Sequence, residues 1–191
     1  MDGFERNWHA TILSGPPMIA PAKSYVFPRA VPGEEDALAR GALWLDVKPE
    51  EAPNFLVQCA LGFAGKGVAT GVWATPKAGQ MLAVAGGYAY RIETQSPEST
   101  ELLPMRPVVG VYASPEAGAL ALVGFHNVLV MTTEDMWQSE KLTWEGLTEI
   151  VVDGVLLRGK GWHMPSDKEL PFSLNLKTRE LSGGAFELRV S

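Results

Sequence analysis

At 191 residues, with 46% hydrophobic and 20% charged side chains, the chain is long enough to bury a substantial core without disulfides or metal, and too apolar to be disordered. Its net charge of −6 argues against unspecific nucleic-acid binding, since the densest cations (Arg158, Lys160, Lys168, Lys177 and Arg179) are interleaved with Asp167, Glu169 and Glu180. The single cysteine, Cys59, excludes an intrachain disulfide and a Cys-based zinc site within one chain.

The start, Met1-Asp2-Gly3-Phe4-Glu5-Arg6, lacks the basic and apolar regions of a signal peptide. The longest apolar stretch, Phe55 to Phe63, is interrupted by Gln58 and is too short to span a bilayer. A cytoplasmic protein with no membrane partner is expected. Residues 1–40 form a Pro-rich segment with Pro16, Pro17, Pro21, Pro28 and Pro32. Proline removes amide donors, so this segment should be extended, with a short strand at Ser24–Phe27. Its apolar residues, Ile12, Leu13, Tyr25 and Phe27 among them, should pack it onto a body formed by residues 41–191, giving one domain over 1–191. One helical turn is expected over 33–41, acidic at its start and closed by Gly41.

From residue 41 the chain reads as short strands separated by Gly, Pro, Asn or Asp, the pattern of an all-β fold. The candidates are Ala42–Val47, Phe55–Gly62, Val68–Ala74, Gln80–Ala85, Tyr88–Glu93, Val108–Ala113, Ala119–Gly124, Val128–Thr132, Leu147–Val152, Val155–Gly161, Phe172–Leu176 and Phe186–Val190. Asp153-Gly154 between two apolar runs predicts a tight hairpin with a type I′ turn, and a second hairpin should turn within Gly124–Asn127.

The segment 71–79 (GVWATPKAG) repeats at 110–118 (GVYASPEAG), with six identities in nine and a constant offset of 39. Each copy reads as strand, Thr/Ser-Pro-x-x-Gly turn, strand. The hydroxyl can bond a nearby amide, Pro presets φ, and Gly supplies a positive-φ exit. A period near 40 is the length of a β-propeller blade. A degenerate third copy starts at Val47-Lys48-Pro49-Glu50 and runs into Phe55-Leu56-Val57. Twelve strands at four per blade predict about three blades in an open arc. The alternative is a β-sandwich. An open arc leaves sheet edges for a protein partner or for a homodimer, unless the N-terminal segment covers one of them.

Trp137, the run 142–147 (LTWEGL), Asp153-Gly154, Gly159-Lys160-Gly161-Trp162, Asp167, the run 171–178 (PFSLNLKT) and Gly183-Gly184 together resemble a segment of uncharacterised bacterial β-propeller-like proteins. The resemblance covers about residues 110–184. It implies a partial propeller and no particular activity, and it carries over no catalytic residue.

Cys59 shares a strand face with Phe55, Val57 and Leu61 and reads as a core thiol. His9, His126 and His163 are isolated in sequence, so no metal and no cofactor are expected. The glycine-rich runs at 62–67 and 85–87 lack the spacing of a phosphate loop and read as turns. Trp137, Trp144 and Trp162 gather within 26 residues near Glu145, His163 and Asp167. Aromatic rings beside acids can line a ligand cleft, and tryptophans also fill β cores. These six residues are the candidate ligand site. The favoured function is a non-catalytic binding or interaction module. The alternatives are a self-assembling structural component, or a hydrolase with a Trp-lined cleft.

Overall fold

A computed structural model describes residues 3–19, 21–28, 38–63 and 67–186. The chain divides into two compact units, residues 1–108 and 109–191. Each is built from two small four-stranded sheets. The protein is all-β, and four small sheets replace the two of a sandwich.

In the first unit, β1 (Trp8–Leu13), β2 (Lys23–Phe27), β3 (Ala42–Pro49) and β4 (Phe55–Ala60) form a sheet ordered β1-β3-β4-β2. Its pairings are antiparallel except for the parallel pair β2–β4. The change of composition near residue 40 therefore falls inside this unit, because residues 8–27 supply both edge strands. The second sheet is a meander of β5 (Gly71–Ala74), β6 (Gln80–Ala85), β7 (Tyr88–Glu93) and β8 (Glu101–Leu102). Leu45, Val47, Phe55, Val57, Cys59, Met81, Ala83, Tyr90 and Ile92 are fully or almost fully buried in one core between the two sheets. Complete burial of a Leu or Phe contributes about 1.5–3 kcal/mol. The Tyr90 hydroxyl donates to the Ala60 carbonyl at 2.8 Å, which satisfies its polar end inside that core.

The second unit contains two meanders. The first runs through β9 (Gly110–Ser114), β10 (Ala119–Val123), β11 (Val128–Met131) and β12 (Met136–Gln138). The other is β13 (Leu147–Asp153), β14 (Leu156–His163), β15 (Lys168–Asn175) and β16 (Leu181–Gly183). Ala119, Ala121, Val123, Val128, Val130, Leu142, Leu157, Phe172 and Leu174 make its core. Consecutive antiparallel strands in four-stranded meanders are the construction of propeller blades.

The structure has one sheet more than the strand count predicted. The additional strands are β1, β8, β12 and β16, each at the edge of its sheet. An edge strand needs only one ladder, so β8, β12 and β16 are two or three residues long and show little apolar pattern, whereas the six-residue β1 lies in the segment read as Pro-rich extended chain. The helical turn expected over 33–41 falls largely outside the described residues; within them, the Gly41 N–H donates to the Leu38 carbonyl at 2.8 Å. The strand expected over 186–190 also lies outside them, except for Phe186.

The repeated nonapeptide forms the β5–β6 and β9–β10 turns. The Thr75 hydroxyl lies 3.0 Å from the Lys77 carbonyl and accepts the Lys77 N–H, while Ser114 accepts the Ala117 N–H and donates to the Gly154 carbonyl at 2.7 Å. The predicted positive-φ exit is present at Gly118 and not at Gly79. The 153–156 hairpin is also present, shifted by one residue. Asp153 pairs with Leu156, so the loop is Gly154-Val155, with φ +59 at Gly154. Glycine at the first central position is the II′ arrangement, not the expected I′.

Candidate functional site

A cavity of about 630 Å³ opens in the second unit. One side is the end of β12 and the chain after it, 137–141. The other is Arg179, Leu181, Gly183, Gly184 and Phe186, with Leu174 of β15 also lining it. Trp137 sits on β12 opposite Val130 of the fully buried strand β11, and its half-buried ring lines the cavity.

Cations cover the aromatic walls. The Arg179 guanidinium lies 5.2 Å from the Trp137 ring and forms an ion pair with Asp135. That guanidinium, and then the Thr132 hydroxyl, hold the Asp135 carboxyl below the usual carboxylate range. The Lys141 ammonium lies 4.5 Å from the Phe186 ring and 5.3 Å from the Trp144 ring. The Trp144 and Phe186 rings are 5.0 Å apart, so Trp144 backs the wall that Phe186 presents. Glu140 is the one carboxylate among the lining residues. The Ser139 hydroxyl accepts the Val128 N–H and donates to the Glu140 carbonyl.

The six residues singled out in the sequence do not form one cluster at this cavity. Trp137 lines it and Trp144 supports it. Trp162 stands on β14 opposite Glu169 of β15, beside the ion pair of Lys160 with Glu149. The Trp144 N–H bonds the Trp162 carbonyl, so the two meet through backbone. The His163 ring is held by the Ser166 hydroxyl at 2.6 Å. Glu145 is exposed, and Asp167 is an exposed left-handed residue with φ +54 that closes the turn at 164–166. Sequence spacing missed Lys141, Arg179 and Phe186. The signal for Lys141 was its position between two tryptophans; nothing local marked Arg179 or Phe186, which arrive through the β15–β16 return.

Other chemistry is sparse. Cys59 is completely buried, and desolvation pushes its thiol well above the ordinary range. His9 and His126 are exposed. Among the described residues, no three His, Cys, Asp or Glu side chains gather into a metal-binding group, and no helix is long and apolar enough to cross a membrane.

No family model matches the chain, and no curated protein matches it. Among solved structures it is similar to the crystal structure of the N-terminal domain of Nup159, with 10% identity and a TM-score of 0.39. The match covers 98% of this chain and 54% of the other, so the chain spans about half the length of that neighbour.

Proposed function

We propose that the chain is a non-catalytic binding module on a propeller-like β scaffold, working in the cytoplasm and taking its ligand in the cavity between residues 137–141 and 179–186. The supporting observation is the make-up of that lining: aromatic rings topped by Lys141 and Arg179, with Glu140 as the single carboxylate and no histidine. Hydrolysis of a glycoside requires two acids facing one bond, and activation of Ser139 requires a base within reach of its hydroxyl. Glu140 is the single carboxylate of the lining, and the Ser139 hydroxyl donates to the Glu140 backbone carbonyl, not to a side-chain base. Cations over aromatic faces suit recognition of a ligand that carries both apolar and anionic groups.

The test is a titration of tryptophan emission with a panel of small carboxylates, sugars, nucleotides and peptides, run on the native chain and on Trp137→Phe. Saturable quenching in the native chain, absent in Trp137→Phe, is expected for at least one member. A panel that shifts neither emission nor melting temperature overturns the reading, and turnover of any member would replace it with the hydrolase.

A further inference from the structure

The cleft of this proposed module is also bounded by two backbone edges that no described strand pairs. Asn175 N–H donates to the Glu180 carbonyl at 2.9 Å, and Gly184 N–H to the Pro171 carbonyl at 3.0 Å. Bonded and non-bonded pairs alternate along an antiparallel ladder. Leu174–Leu181 and Phe172–Gly183 are therefore non-bonded pairs. The N–H and C=O of Leu181 and the N–H of Gly183 thus point away from β15. β16 ends its sheet, so no described strand meets these groups. Across the cleft, Thr132 N–H to Asp135 C=O and Ser139 N–H to Val128 C=O set the same phase in β12. The backbone of Met136 and Gln138 therefore faces away from β11. Gln138, Leu181 and Gly183 all line the cavity.

These two edges are tied together at both ends. At one end Arg179 bridges to Asp135. At the other, Ala185 N–H donates to the Leu142 carbonyl at 2.8 Å. Between the ties, residues 136–141 and 180–184 share no hydrogen bond among the described residues. Six residues of extended chain measure roughly 20 Å, the length of a strand segment of about four to six residues. Gly183 and Gly184 carry no side chains and leave the β16 edge open to close backbone approach.

We propose that the cleft takes one extended peptide segment of a partner protein, added as a strand to the β16 edge, with a carboxylate of the segment against Lys141. Main-chain pairing supplies affinity in this mode, and pockets for alternate side chains supply specificity. Charge selects the segment. Arg179 is neutralised by Asp135, whereas Lys141 makes no ion pair among the described residues. Lys141 is therefore the lining cation available to a carboxylate, with Glu140 next to it in the chain. The inference rests on the cleft being the ligand site.

The test is to pan random octapeptides displayed on phage against the full chain and, in parallel, against Lys141→Glu and Lys141→Gln, each shown to be folded by circular dichroism. Enriched peptides should contain an acid between apolar residues. Synthetic copies should bind both variants, and bind when N-methylated at alternate residues, about tenfold more weakly or worse, a loss of about 1.4 kcal/mol. Glutarate should not compete. Enrichment of peptides without acids, or indifference to the Lys141 substitutions, overturns the proposal. If N-methylation is harmless and glutarate competes, the cleft is an anion site, so the strand fails while the binding module stands. A dimer in light scattering that Lys141→Glu dissociates gives the edge to a second copy instead. No enriched peptide, together with silent tryptophan emission across the small-molecule panel, removes both readings.

Discussion

The β5–β8 and β13–β16 sheets share one meander topology and differ in how much water they meet. All six residues of β6 are buried, and four of the six in β7. No residue of β13 is buried, and in β14 buried and more exposed positions alternate from Leu156 to Gly161. A strand buried on both faces is written as a continuous apolar run, as in Met81-Leu82-Ala83-Val84-Ala85. A strand with one wet face is written as alternation. The first kind fixes a scaffold. The second leaves polar groups free to vary, and its sheet carries one wall of the candidate cleft.

The largest effect should come from the doubly buried strand. Leu82→Ala is expected to cost about 2–5 kcal/mol in urea unfolding, and Val151→Ala in β13 to stay within about 0.5 kcal/mol. Equal costs would break the comparison. Reactivity should follow the same line. Cys59 should resist an aromatic disulfide reagent in the native chain and react upon unfolding, with Leu82→Ala accelerating the reaction. Fast labelling of the native chain would show that the first unit opens locally.

Smaller effects sharpen the two repeat turns. Ser114→Ala removes a hydroxyl that links β9 to the β13–β14 turn and should cost about 1 kcal/mol. Thr75→Val should cost a similar amount, because its bonds stay within its own turn but the site is fully buried. The smallest effect concerns Asp135. Its folded carboxyl is held below the ordinary value of 3.8, so its contribution to stability is complete above that value and disappears as pH falls through the lowered one. Asp135→Asn should lower the melting temperature slightly at about pH 6, with the difference from the native chain shrinking below about pH 4. A difference that grows on acidification would contradict the Arg179 pairing.

The fold was legible wherever burial and turn chemistry act on neighbours in sequence. The 39-residue repeat located two blades because in each copy the hydroxyl accepts an N–H two or three residues on, Lys77 from Thr75 and Ala117 from Ser114. β12 and β16 were illegible because three edge residues carry too little pattern, and the short β16 places Leu181 and Gly183 at the cleft. Of the residues singled out in the sequence, Trp137 lines the candidate cleft and Trp144 packs on Phe186. Glu145, His163 and Asp167 are near in sequence, but they lie outside the cleft lining. Arg179 reaches Trp137 across 42 positions, a distance that no local motif spans.

The order β1-β3-β4-β2 has a consequence for how the chain is made. Both flanking strands are synthesised before the hairpin that they flank, so neither β1 nor β2 has its sheet partner until residues 42–60 exist. An emerging chain therefore holds two unpaired strands in waiting, and the β3–β4 hairpin organises them when it arrives. A version of the protein begun at residue 41 would lack both flanking strands, leaving the two sides of the β3–β4 hairpin open to pairing with other copies.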